Sequence, residues 1–251
     1  MTMAFRGSIR TQHFQVDALE HARTAFRADR FDSVVIDDFL TPSLVEGLIA
    51  CFDHDGKLTE HHSLKEPADE DGSQASSQKL TVERTVSEEA FAAASPTSQL
   101  ARELFLHPDT QRDTDSAGWR AHTRFLETLA SPEFKSYIGA ITDTSELRDV
   151  TFMARTMRYG DLCNAHSDAG DGRTLCMLLY VGDGWRPGFG GRFQNVERGR
   201  VARSTEPRGN RLILHRPAPN QIHQVEPISE AGRAWRRHSY SAWFGTFPDR
   251  G

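Results

Sequence analysis

The chain has 251 residues, a formal net charge of −5, and 37% apolar against 26% charged residues. That length suits one large domain, or one with a helical annex, and the composition is that of a globular chain rather than a disordered or membrane-embedded one. No apolar run nears the roughly 18 residues of a spanning helix. The N-terminal MTMAFRGSIRTQHFQVD carries no apolar stretch of signal-peptide length, so a cytoplasmic protein off the membrane is expected. Net negative charge speaks against general nucleic-acid affinity, which rests on phosphate neutralisation. The arginines of 198–211 and 233–237 read as solvated charged faces. Cys51, Cys163 and Cys176 are too scattered for a disulfide framework, and none forms the CxxC pair of a thiolate zinc site.

In chain order, FDSVVIDDFLTPSLVEGLIACF (31–52) reads as a β-branched strand, a turn and a helix. Thr41 stands at the N-cap and Pro42 at the first helical position, with Leu44, Val45, Leu48 and Ile49 forming the apolar stripe. Residues 63–88 are polar and are expected to form an excursion within the domain, suited to a lid. Helices are predicted over Ser98–Leu106, Trp119–Leu129 and Pro132–Ile141. From Thr151 the pattern turns to short strands: TFMARTMRY, RTLCMLLYV, GRFQNV, RLILH and RHSYSAWFG. The expectation is one α+β domain over 1–251, mainly helical in 1–150, with a β core at 151–247 carrying the site.

His166-Ser167-Asp168 carries the chemistry. In extended backbone, residues two apart share a face, so His166 and Asp168 can reach one ion together. A second imidazole must come from elsewhere. His223, after RLILH and the loop RPAPNQ, is preferred over His215, which ends the strand. Two histidines and one carboxylate cover one face of an octahedral ion and leave the rest open, as Fe(II) oxygen chemistry requires.

The surrounding pattern resembles the prolyl 4-hydroxylase-like branch of the 2-oxoglutarate/Fe(II) dioxygenases, in register from Phe152 to Phe244. A strand ends in Tyr159, then come His166-Ser167-Asp168, the DGR turn, a strand ending in Tyr180, and Gly190-Gly191. Arg211-Leu212-Ile213-Leu214, the histidine of IHQVEPI, and Arg237 six residues before Trp243 complete the set. VVIDDFLTP is similar to the family's entry strand and helix. The resemblance implies a double-stranded β-helix (jelly roll) core buttressed by N-terminal helices, and a hydroxylase that converts 2-oxoglutarate to succinate and CO2. It implies Fe(II) on His166, Asp168 and His223, with 2-oxoglutarate and O2 as cosubstrates and ascorbate as a candidate reductant. Asp168 stands where the superfamily's halogenases have a small residue, so hydroxylation is the first expectation, with desaturation, epoxidation or ring closure open.

By the same resemblance Arg237 holds the distal carboxylate of 2-oxoglutarate, a planar fork that a neutral side chain cannot replace. Tyr180, Tyr159 and Ser241 are expected beside it. Parity supports the grouping: Thr174, Cys176, Leu178 and Tyr180 share one strand face, as do Arg237, Ser239, Ser241 and Trp243. Arg236 falls on the opposite face and Arg233 in the turn. Arg155, Met157 and Trp243 are the candidate substrate contacts; an inward Arg155 needs a partner, from the protein or from a substrate anion. Asp161, Asp171 and Asp183 read as turn residues, Gly188–Gly191 as a tight turn, and His61-His62 as solvated. The expected partner is a small or amino-acid-derived molecule, with prolyl peptide as the alternative. A non-catalytic cupin-like metal protein and an iron oxygenase independent of 2-oxoglutarate are the other classes, against which Arg237 and Tyr180 speak. Nothing in the sequence indicates an oligomeric state.

Overall fold

The computed structural model describes residues 3–66, 82–107 and 115–247. Helices α1 (Met3–Ser8) and α2 (Val16–Ala28) precede strand β1 (Ser33–Ile36) and helix α3 (Pro42–Ala50). Strands β2 (Lys57–Glu66) and β3 (Val82–Thr85), helix α4 (Glu88–Ala93) and strand β4 (Gln99–His107) follow, then helices α5 (Ala117–Ala130) and α6 (Pro132–Thr142). The rest is β5 (Asp149–Met157), β6 (Leu162–His166), β7 (Arg173–Tyr180), β8 (Phe193–Glu197), β9 (Arg200–Thr205), β10 (Arg211–His215), β11 (Ile222–Val225) and β12 (Arg237–Gly245).

Local chemistry explains the helix starts. Ser116 and Ser131 accept the Trp119 and Phe134 amides at 3.1 and 3.2 Å and cap α5 and α6. Pro42 and Pro132 each occupy the first turn, where the missing N–H costs nothing. Thr41 sits at the N-cap of α3 as expected, yet its hydroxyl donates to the Gly7 carbonyl at 3.2 Å and ties α1 to α3 instead of capping.

All strand pairings are antiparallel, in the order β1-β10-β7-β12-β5-β4-β6-β11-β8-β9, with β2 joined to β4 and β3 to β2. The sheet bends at β4, which pairs with β5 only at Leu104 and Phe105 and with β6 only at Ala101 and Arg102. Folding there brings the two limbs face to face: His215 on β10 and His223 on β11 lie with ring centroids 5.3 Å apart. This is the jelly-roll arrangement, and helices cover one outer face. Alternation divides each strand of the first limb. Leu175, Met177 and Leu179 of β7 and Tyr240, Ala242 and Phe244 of β12 enter the helical core with Leu48, Phe125, Phe134 and Ile138. Their neighbours Cys176, Leu178, Ser241 and Trp243 line the space between the limbs. No helix among the described residues is long and apolar enough to cross a membrane.

Two expectations for the first part are corrected. Residues 99–107 form a strand, not a helix: QLARELFLH has helix-forming residues, but its backbone groups are claimed by β2, β5 and β6, and tertiary pairing overrides propensity. The 63–88 segment is not one uniform excursion. Ser63–Thr85 and Leu64–Arg84 pair across β2 and β3, and Ser87 caps α4. Residues 67–81, where a lid was expected, lie outside the described residues. Four strands of 1–150, β1 to β4, thus join the sheet, although helix still outweighs strand in that part. His62 is buried against Phe91 rather than solvated, while His61 stacks on Phe105.

One buried histidine makes this packing pH-sensitive. His122 of α5 shares a 2.7 Å hydrogen bond with the Tyr240 hydroxyl, and burial lowers its pKa from 6.5 to about 4. The folded protein therefore keeps His122 neutral where the unfolded chain takes up a proton. Its contribution is present above pH 6.5 and is lost as pH falls toward 4, by on the order of 3 kcal/mol. Urea midpoints measured between pH 7.5 and 4.5 should fall less steeply in His122→Gln than in the parent; superimposable slopes would refute the assignment.

Candidate active site

Strand β6 ends at His166, and β11 places His223 directly opposite it as its cross-strand partner. The two rings meet edge to face, centroids 4.4 Å apart. Asp168 follows in a loop that Ser167 pins, donating to the Ala218 carbonyl at 2.9 Å and accepting the Ala169 amide at 3.1 Å. Its carboxylate lies 3.3 Å from His223 Nε2 and 3.9 Å from His166 Nε2. His166 Nδ1 is 2.7 Å from the Asn164 carbonyl and must donate to it, which leaves Nε2 as the free lone pair. Burial opposes charge on Asp168, but the imidazole of His223, its hydrogen bond and His166 hold the carboxyl well below its usual range. Burial, then His166, lowers the pKa of His223 and favours the neutral, ligating imidazole.

These three donors lie within 4.8 Å of one another and are largely buried. Two imidazoles and one carboxylate, all reaching from one side, fit a divalent ion whose remaining positions face a cavity. That cavity runs inward between the limbs past Cys176, Leu178, Phe193, His215 and Ser241 to Arg237.

Arg237 is 2% exposed, yet no carboxylate is paired with it among the described residues. Its Nε donates to the Gly191 carbonyl at 3.0 Å, one Nη to Ser239 at 3.3 Å and the other to the Tyr180 hydroxyl at 3.2 Å. Its guanidinium carbon also stands 4.8 Å above the Tyr180 ring. A buried cation met only by neutral groups is costly unless an anion completes it. Gly191 makes the approach possible: at φ +76° it favours glycine, and a Cβ there would come within 2.9 Å of Trp235 and 3.4 Å of Arg237 Cδ.

On the other side of His166 and Asp168 the cavity opens into an outer half, lined by Glu83, Glu103, Met153, Arg155, Arg173 and Trp243 among others. Arg155 is already paired: its Nη1 donates to Glu103 at 3.0 and 3.2 Å, and its Nη2 to Ser241 at 2.8 Å. Arg173 lies 3.5 Å from Asp168 and covers the Trp243 ring at 4.8 Å. Trp243 Nε1 is buried with no acceptor.

The structure thus gathers His166, Asp168, His223, Arg237, Ser241, Arg155 and Trp243 around one cavity, with Tyr180 behind them and bonded to Arg237. It does not gather Tyr159, which is 41% exposed beneath Arg233, past the end of β5. Met157 is fully buried under Arg237 Nη1 and lines neither half, so it supports the arginine rather than facing a substrate. Arg236 bonds to the carbonyls of Arg233 and Trp235, and Arg233 pairs with Glu230. Asp161 accepts the Arg158 amide in a turn, as expected. Glu103 escaped the sequence reading because its strand was taken for a helix. Arg173 stood in view within the DGR turn.

Residues 153–245 match the model of the 2OG-Fe(II) oxygenase superfamily. That match, over the segment that carries the three donors, indicates a 2-oxoglutarate-dependent Fe(II) dioxygenase with Fe(II), 2-oxoglutarate and O2 as its cofactors. The prolyl 3-hydroxylases OGFOD1 of Xenopus laevis and Mus musculus are 26% and 21% identical over 49% of this chain, which spans only 25% and 23% of their length. A Pseudomonas putida prolyl-4-hydroxylase superposes with a TM-score of 0.56 at 17% identity, over 92% of this chain and 100% of the other. A Trichoplax adhaerens prolyl hydroxylase, solved with a hypoxia inducible factor peptide fragment, gives 0.56 at 14% identity over 92% and 93%. These two share the fold.

The crowding at Gly191 can be tested against Gly184, whose φ is +78° but whose Cβ direction is open. Both alanine variants should lose about 1 kcal/mol or more from backbone strain. Only Gly191→Ala should also displace Arg237 and weaken 2-oxoglutarate binding by calorimetry, by roughly tenfold or more. Equal affinities in the two variants would contradict this seat for Arg237.

Proposed function

We propose that the chain is a 2-oxoglutarate-dependent hydroxylase in which His166, Asp168 and His223 hold Fe(II) and Arg237 with Tyr180 holds the far carboxylate of 2-oxoglutarate. The observation that carries this reading is the buried Arg237, unmatched by any described carboxylate, at the inner end of the cavity that begins at the three metal donors. Bound iron and 2-oxoglutarate supply the oxidising chemistry, in which O2 is consumed, succinate and CO2 are released and an unactivated C–H bond is hydroxylated. The chain's own part is orientation. Arg237, steadied by Gly191 and Ser239, meets a carboxylate with a fixed fork, and the Tyr180 hydroxyl reaches the same end. Burial raises the Tyr180 pKa and outweighs Arg237 beside it, so the phenol stays protonated and able to donate.

The substrate half presents both signs of charge, Glu83 and Glu103 with Arg155 and Arg173, and an unused indole N–H. That lining supports a small polar or amino-acid-derived substrate. The second reading is a prolyl residue within a peptide, favoured by the prolyl hydroxylases among the relatives. Succinate release measured with free amino acids against proline-containing peptides separates the two.

The deciding experiment is anaerobic Fe(II) titration with 2-oxoglutarate, which should produce the visible charge-transfer band of the chelate. Alanine at His166, Asp168 or His223 should abolish the band and turnover; full activity in His223→Ala would transfer its role to His215. Arg237→Ala leaves a carboxylate unpaired in a buried site, a loss of roughly 3–5 kcal/mol, or at least about a hundredfold in 2-oxoglutarate affinity. Iron content should stay at the parent level, and Arg237→Lys should recover part of the loss, since an ammonium is a point charge. A large defect in Arg236→Ala, with none in Arg237→Ala, would reverse the assignment.

A further inference from the structure

Beyond the three donors assigned to iron, a second group faces the same cavity. Asp168, Cys176 and His215 bring a carboxylate oxygen, a thiol sulfur and a ring nitrogen to within 4.8 Å of one another. Cys176 on β7 and His215 on β10 are cross-strand partners, so rigid sheet geometry holds them side by side. All three residues are more than nine-tenths buried. The His215 imidazole lies against Phe193 and His223 and has no hydrogen-bond partner among the described residues, although it lines the cavity. A ring that faces the cavity with no protein group bonded to its nitrogens is free to take a ligand there.

We propose that Cys176, His215 and Asp168 form a second site, selective for a soft divalent cation of the zinc type, that shares Asp168 with the iron triad and excludes iron when filled. The donor types set the selectivity: thiolate with imidazole favours Zn²⁺ over Fe²⁺ more strongly than the sulfur-free triad does. A tetrahedral ion with bonds of about 2.0–2.3 Å keeps its ligand atoms roughly 3.3–3.8 Å apart, a small contraction from the present spacing. On binding, the thiol forms a sulfur–metal bond and releases one proton. Two ions together are disfavoured. Asp168 is one carboxylate, its oxygens already face His223 and His166, and two dications in a buried space would be offset by only one carboxylate and one thiolate. Zinc is thus a competitor of iron, acting through a site that iron does not use. The exclusion rests on the iron assignment above; the second site itself does not.

Cobalt(II) added anaerobically to the metal-free protein tests the site, because thiolate ligation gives an intense near-ultraviolet charge-transfer band that imidazole and carboxylate do not. The parent protein should show this band in proportion to bound cobalt, and Cys176→Ser should lose it. His166→Ala should keep the thiolate band while losing the Fe(II)–2-oxoglutarate band, so failure of one site is distinguishable from failure of the other. Zinc should halve turnover of the Fe(II)-loaded parent at a concentration at least tenfold lower than in Cys176→Ser, each scaled to its own zinc-free rate. Cobalt bound to the parent without the band, a band that persists in Cys176→Ser, or equal zinc sensitivity would each overturn the proposal. The first outcome needs no variant, so it decides even if Cys176→Ser folds poorly.

Discussion

A β-strand has two faces, and in this protein each carries a separate burden. Along β7 and β12, every second residue is sealed beneath α3, α5 and α6, while its neighbours project between the limbs of the sheet. The helices fix the strands by burying one set of side chains, and that alone aims the other set at the cavity. Register does the rest: the pairing of His223 with His166 sets two residues distant in sequence one cross-strand step apart. A slip of one residue would turn Arg237 into the helical core and His238 into the cavity, so hydrophobic packing and the placement of the candidate site residues are enforced by one constraint.

Charge inside the cavity is handled in two contrasting ways. Arg155 is neutralised by Glu103 and steadied by Ser241, which makes it part of the wall. Arg237 is surrounded by a carbonyl, two hydroxyls, a thioether and an aromatic face, none of which carries a negative charge. Both arginines were visible in the sequence: resemblance supported by parity turned Arg237 inward, while for Arg155 parity left an inward and a solvent-facing reading open. What separates them is the identity of the facing strand, which parity along one strand does not report.

The β core was largely legible because its strands alternate cleanly and its turns are marked by glycine and aspartate. Asp171 and Gly191 adopt positive φ where the turns were read. The helices over 117–130 and 132–142 were likewise legible from serine caps and apolar spacing. Gln99–His107 was not, because alanine, arginine, glutamate and leucine are good helix formers and only the partners of β4 make it a strand. Tyr159 failed for a different reason. Its strand stops at Met157, and the turn that follows carries the ring outward to Arg233. Alternation predicts direction only while a strand lasts.

The two halves of the cavity have different origins in the chain. Every residue lining the inner half lies within 153–245, the segment that matches the superfamily model. The outer half borrows Glu83, Leu100, Ala101 and Glu103 from β3 and β4, which precede that segment. The inner half is thus built from one stretch of polypeptide, and the outer half from that stretch together with an earlier one. Substitutions in β3 and β4 can therefore reshape the outer half while leaving every residue of the inner half in place.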